Sequence, residues 1–511
     1  MKKSFLQLCL GAMASIALFS CSKSGDKVVI SEPLKVVGQP LSDTTLPVVI
    51  NGVAQPLKGT MLAGKTYHIN ADVTINAGDT LYVQPGVKVL VHGNGIAGSS
   101  PMFIVKGSII SDGTKENPNW FTVDDSQPKS NSSFTDDVNN DPAYKGYWSG
   151  FQGDVTCQLM AFRWTHIEYT GGPYGTNAAT WGAKETDPTP TIYMNPDAGG
   201  AYGKFIFEDS WLFGSVDDCI GKCQHIYVSI MRNTLTKLGG AGGEGINLKN
   251  DCYGDMAYNF CYGIATNGLK TAGIAGSSTI VNIYNNTLIN CGFRQTKATR
   301  NGSINTETNT GGFIYNNIIA NCKQGIRITY SSEKGKPSDT LNTSYNNNLT
   351  YVGRVQPMGG VEQYMLYIEP KQFTKKQSND INGYVNGPDS ITGQNLGTNV
   401  NDSLKYNPMF KNYNVIANSA GKSYRNSVIP SGSDFGLGAG SPALNAGVYA
   451  GGTGINAMPT KASAPLLVKY GFPMTVLTND GTAAAANIQG PNKDLGAFPS
   501  DGTGNQHGIS Y

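Results

Sequence analysis

Between Phe205 and about Gly353 a short phrase of alternating apolar and polar residues returns six times, each copy breaking at Asn or Gly. It reads FIFEDSWLFGS at 205–215, IYVSIMRNTLTKLGG at 226–240, DMAYNFCYG at 255–263, NIYNNTLINCG at 282–292, GFIYNNIIANC at 312–322 and TSYNNNLTYVG at 343–353. A period of two over a few residues, closed by a turn former, is the pattern of a short strand followed by a sharp turn, and no helical period lies between copies. Aligned on the asparagine, the register runs Asn233, Asn259, Asn286, Asn317, Asn347, in steps of 26, 27, 31 and 30. Repeats of this length describe a solenoid whose units bury their faces against their neighbours. Identical side chains in register can hydrogen-bond up a column, which favours coils stacked directly on one another over a sandwich or barrel. The chain is read as an all-β parallel β-helix.

Upstream, TYHINADVTINAGDTLYVQPGVKVLVHG (66–93) alternates in the same way and puts Val87, Val89 and Val91 on one face. The coil is therefore expected over 65–410, with irregular caps before and after it. Residues 1–20 read as an export signal: Lys2 and Lys3, an apolar run to Phe19, then small residues. LFSC (18–21) resembles a bacterial lipobox, which implies lipidation of Cys21 and a membrane anchor without a span. Residues 21–64, with Pro33, Pro40, Pro47 and Pro56, read as a tether and N-terminal cap, and 411–511 as C-terminal rungs and cap. Excursions at 124–147, 171–203, 331–339 and 359–404 read as loops on the scaffold, where binding residues gather.

Composition changes this picture little. Sixty-four glycines among 511 residues suit a chain that turns often, and a formal net charge of +2 offers no basic surface for nucleic acid. No segment beyond the signal is apolar for long enough to be a transmembrane helix. Seven cysteines remain after Cys9 and Cys21; their spacings match no metal motif, and Cys291 and Cys322 hold equivalent repeat positions, as buried thiols would. A Cys219–Cys223 disulfide is a further option.

Candidate chemistry comes from aligning the rungs. DDCIGK, GEGINLK, YGIATN and QGIRIT share an isoleucine register at Ile220, Ile246, Ile264 and Ile326. If these point inward, their successors point outward, so Arg327 faces solvent with Arg294 near it. Asp217, Asp218 and Glu244 then sit at one edge of the face, with Lys249, Asp251, Asn267 and Lys270 following. Asp217, Asp218, Glu244 and Arg327 are the candidate catalytic set. Arg294 and Lys249, with Trp181 and Tyr193 of the 171–203 insertion, are the candidate sugar-binding set. Asp218 with Glu244 offers oxygen ligands suited to Ca²⁺. A solvated charged face that keeps a long sheet soluble is the competing reading.

LYVQPGVKVLV (81–91), FIVKGSIISDGTKENPNWFTVDD (103–125), GYWSGFQGD (146–154) and FRWTHIEYTGG (162–172) resemble the opening rungs of pectate-lyase-like, right-handed parallel β-helix lipoproteins of Bacteroidetes. NPMF (407–410), GSPALNAG (440–447) and DLGAF (494–498) resemble the closing signature of many β-helix proteins. The resemblance implies a right-handed coil and is uninformative about activity. VDDCIGKC (216–223) is similar to the "D-D-C-I" string of polygalacturonases, whose two aspartates are catalytic, although their "G-H-G" histidine has no counterpart in GGAGGEG (239–245). The resulting expectation is a monomeric, lipid-anchored outer-membrane surface protein that binds extracellular polysaccharide. A polysaccharide lyase or polygalacturonase-like hydrolase acting on uronate-containing glycans, and a structural or adhesive surface protein, are the alternatives.

Overall fold

The computed structural model describes residue 34 and residues 36–134, 137–197, 200–274, 277–295, 302–328, 343–351, 364–368, 381–382, 406–415, 417–419, 427–458, 476–477, 483–484 and 486–507. The export signal and Cys21, all of 331–339 and most of 359–404 lie outside the described residues.

The alternating phrases become strands that visit three sheets in turn. Sheet 1 gathers 59–61, 80–83, 108–112, 159–163, 203–208, 226–231, 252–257, 279–284, 310–315 and 343–346. Sheet 2 holds twelve strands from 45–46 to 381–382, and sheet 3 ten from 73–75 to 364–368. Every pairing within these three sheets is parallel and joins one coil to the next, as between 226–231 and 252–257 or 246–248 and 269–271. This is a parallel β-helix. Its coil begins about one turn before the expected 65, since 45–46 already pairs with 66–69.

Inward positions fill a continuous apolar column containing Phe103, Phe121, Phe151, Phe162, Phe205, Phe207 and then Ile and Leu. All seven cysteines of the described residues are free and buried, so Cys219 and Cys223 are not bridged. Cys261, Cys291 and Cys322 line the interior, where burial suits a small apolar side chain.

The turn from sheet 1 to sheet 2 explains the asparagines. The first turn residue is left-handed, at Arg232 (φ 57°), Tyr258 (57°), Asn285 (52°), Asn316 (57°) and Asn347 (53°). Asparagine tolerates that region better than most residues because its short side chain hydrogen-bonds locally. The second turn residue points inward and builds the ladder. Asn259 receives the backbone and side-chain amides of Asn233 at 3.2 and 2.9 Å, and Asn286 receives those of Asn259 at 2.9 and 3.0 Å. Asn317 donates in turn to Asn348. The last rung of the column is thus Asn348, one residue beyond the expected Asn347, which takes the left-handed position instead.

The loop at 124–147 is pinned down: Lys237 pairs with Asp141 at 2.5 Å and donates to Ser130 Oγ and the Phe134 carbonyl. At the far end of the sequence a strap runs back over the coil. Asn487 N–H reaches Glu208, Gly490 accepts from Tyr258, Asp494 from Asn285, and Gly496 N–H donates to the Asn316 carbonyl. Asn505 returns to the carbonyl of Asn233 at 3.1 Å, and His507 lies edge-on to Trp211.

Candidate functional site

Most of the candidate residues lie on or beside the outward positions of sheet 3. Its inward register is Ile220, Ile246, Leu269, Ile304 and Ile326. Ile264 is not part of it: that residue follows the sheet 2 strand 260–262 and belongs to the core elsewhere. YGIATN therefore copies the phrase by coincidence, and GLKT (268–271) is the true equivalent. The corrected register adds two outward members, so the column reads Gly221, Asn247, Lys270, Asn305, Arg327. At a rung spacing of ~4.8 Å these five positions span about 19 Å.

Around this column the carboxylates and cations interlock. Asp218, 7% exposed, accepts from the Glu244 backbone N–H at 2.9 Å and the Asn247 side chain at 2.7 Å. Burial, and then the charge of Glu244, raise its pKa well above the ordinary carboxylate range, which favours a protonated Asp218 that donates to Glu244. Burial opposes the charge on Glu244, yet Lys270 at 3.1 Å and the Asp218 proton hold it down to about 2. Lys270 also reaches Glu307 at 3.5 Å, and Glu307 accepts from Asn305 at 2.9 Å and lies 3.5 Å from Arg327.

Lys249 differs from its neighbours. Leu248 pairs with Thr271 and Thr271 with Thr306, which puts Lys249 one position past the strand, level with Glu307. Its ammonium is half-buried and has no hydrogen-bond or ion-pair partner among the described residues. Burial lowers it to about 8, and the charge of Lys270 pushes the same way. A partly neutral, unpaired amine beside paired cations is able to accept a proton or to hold an anion.

Other expected members sit elsewhere. Arg327 is on the outward column as expected but is 6% exposed, its guanidinium turned to Asn305 and Glu307. Arg294, 4% exposed, donates to the carbonyls of Leu238, Gly239, Gly240 and Gly263 at 2.7–3.0 Å and lies over the Tyr144 ring. It is a clamp on tight turns and does not join Arg327. Asp251 turns to His225 at 3.4 Å. Asp217 contributes its negative charge to the rise at Asp218, and its carbonyl accepts from Ser215. Asp218 and Glu244 are in direct hydrogen bond, whereas hydrolase carboxylates flank a sugar bond about 5–9.5 Å apart. That pair has no room for a glycosidic bond between its members.

The 171–203 segment is not a free loop, because Ile192–Met194 is itself a rung strand of sheet 3. Trp181, 8% exposed, packs with Met102, Tyr174 and Ala178 and meets Tyr193 edge-on at 6.0 Å. These rings fasten the segment to the coil instead of presenting a flat face. A flat face does exist on sheet 1, where half-buried Tyr202 and Tyr227 stack at 4.8 Å with Tyr253 beside them at 6.2 Å. Its signal was legible as tyrosines at matching positions of IYVSIM and CYGDMA, but only once the two phrases were paired.

The chain matches no protein-family model and no curated protein sequence. Among solved structures it is similar to a mutant of the periplasmic alginate epimerase AlgG, with 10% identity and a TM-score of 0.24, over 60% of this chain and 78% of that one. So distant a likeness adds nothing about activity, and the fold assignment rests on the stacked parallel sheets themselves.

Proposed function

We propose that the outer face of sheet 3 binds a uronate-containing extracellular polysaccharide. The observation that carries this reading is Lys249. Lys270 and Arg327 have carboxylate partners within the protein, whereas the Lys249 ammonium is half-buried and unpaired among the described residues, a state that an anionic ligand relieves. Asn247, Asn305 and Arg327 of the adjoining column are themselves buried, so the contact is expected along the half-buried Lys249 edge of the face. The expected setting is a monomer tethered through lipidated Cys21 to the outer membrane surface. Ca²⁺ on Asp218 and Glu244 would have to displace their contacts with Asn247 and Lys270.

The same residue supports a lyase as the second reading. A neutral Lys249 amine can take the proton α to the uronate carboxylate. The electron pair then forms a carbon–carbon double bond, the C–O bond on the far carbon breaks, and the departing oxygen takes a proton, for which the Asp218 carboxyl is the proton-bearing group of the cluster.

Retention on gels of alginate, pectate and hyaluronate tests binding, with Lys249→Met as the variant. Retention of the wild type that the variant loses is the expected result. Ultraviolet absorbance from unsaturated uronate ends selects the lyase. Retention unchanged in Lys249→Met overturns the site.

A further inference from the structure

At the other end of the coil, three outward residues on successive rungs of sheet 2 converge. Tyr67 and Ile69 point into the core, so His68 between them points out, and the same parity turns out His92 after Val91 and Asp124 after Val123. Pairing of 66–69 with 88–91, and of 88–91 with 120–123, stacks the three rungs directly. His68 Nδ1 lies 3.0 Å from His92 Nε2, and His92 Nε2 lies 3.7 Å from Asp124 Oδ2. All three donor atoms fall within 4.8 Å of one another. Asp124 is oriented by its other oxygen, which accepts from Ser126 N–H at 2.9 Å.

We propose that His68, His92 and Asp124 form a binding site for a divalent transition-metal ion, a site unrelated to the sheet 3 face. Two imidazoles and one carboxylate are the donor set of zinc and its first-row neighbours, and two imidazoles argue against calcium or magnesium, which take oxygen. Nitrogen atoms bound to one zinc ion at about 2.0–2.1 Å lie roughly 3–3.4 Å apart, near the separation of the two rings here. Three protein ligands leave a coordination position open. A groove of about 960 Å³, lined by His92 together with Asp72, Asn94 and Gln127, adjoins the triad, so the open position is reachable by water or a small ligand.

Metal binding requires neutral imidazoles, and affinity falls as they protonate. The untagged, chelator-stripped full chain is titrated with Zn²⁺ by calorimetry at pH 7.5 and pH 5, and the Zn-loaded wild type is measured by X-ray absorption. One ion per chain at pH 7.5, at least 100-fold weaker binding at pH 5, and a first shell with two imidazoles are expected. His92→Ala and Asp124→Asn should each weaken binding at least tenfold, with metal-free melting close to wild type because the side chains lie on the outer surface. No Zn²⁺ uptake by the wild type, a shell with fewer than two imidazoles, or uptake unchanged in His92→Ala overturns the proposal. The first two of these outcomes use the wild type and need no variant to fold.

Discussion

Asn286 gives both its backbone N–H and its side-chain amide to one oxygen of Asn317, at 3.0 Å each, while its own oxygen receives the same pair from Asn259. The second proton of the amide reaches the Met256 carbonyl at 3.0 Å. Every polar group at this buried bend is thus satisfied by the rung above or below. Asn286→Ala removes one step of the ladder and strands the Asn259 amide. A loss of about 1–3 kcal/mol in denaturant unfolding is expected, with polysaccharide retention intact in the folded fraction. Normal unfolding with lost retention would move the asparagine from the frame to the site.

Arg294→Ala should be costlier. Four carbonyls at tight turns lose a charged donor at once, and a drop of at least about 3 kcal/mol follows. Differential scanning fluorimetry measures it. An unchanged melt would mean that the guanidinium is dispensable to these turns.

Lys249 should behave in the opposite sense. Its folded value near 8 lies below the ordinary 10.5, so between those pH values the unfolded chain binds more protons and stability from this residue rises with pH. At pH 7 the buried charge is a liability, and Lys249→Met should melt at or above the wild type while losing retention. Wild-type retention should itself fall as pH rises through about 8. A variant that melts well below wild type at pH 7 contradicts the assignment.

Glu244 sets the acid limb. Held near 2 against an ordinary 4.5, it contributes stability that is complete above pH 4.5 and lost as pH falls toward 2. Glu244→Gln should therefore be less stable than wild type at pH 7 and converge with it near pH 2. Asp218→Asn replaces a carboxyl whose charged form burial and Glu244 disfavour, so its melting at pH 7 should stay close to wild type. A large drop there would show that Asp218 works as an anion.

Cys21, outside the described residues, is tested by fractionation. Cys21→Ser should shift the protein from the membrane to the soluble fraction, and wild-type chain that carries no lipid label argues against the anchor.

Sheets and inward columns were legible because a period of two is local: a residue and its second neighbour settle which side faces the core. Rung-to-rung register was harder. YGIATN and GLKT compete for one position, and the decision depends on the length of the preceding turn, which no local pattern encodes. That slip left Lys270 at the far end of the face instead of in the column and missed Asn305 altogether. Trp181 was misjudged for a related reason, since an aromatic ring in a long segment reads alike whether it packs down or stands free. The His68, His92 and Asp124 triad left almost no trace, because each member lies a full coil from the next.

The strap that binds Glu208, Tyr258, Asn285, Asn316 and Asn233 through residues 487–505 alters how the molecule comes apart. A plain solenoid couples only adjacent coils, and frays from its ends like a zipper. Here the last segment of the chain crosses five coils of the middle, so those coils must open together or not at all. Trimming the C-terminus would not shorten the protein by one tidy unit. It would turn a cooperative block, which also carries the charged face, into a stack held only by contacts between adjacent coils.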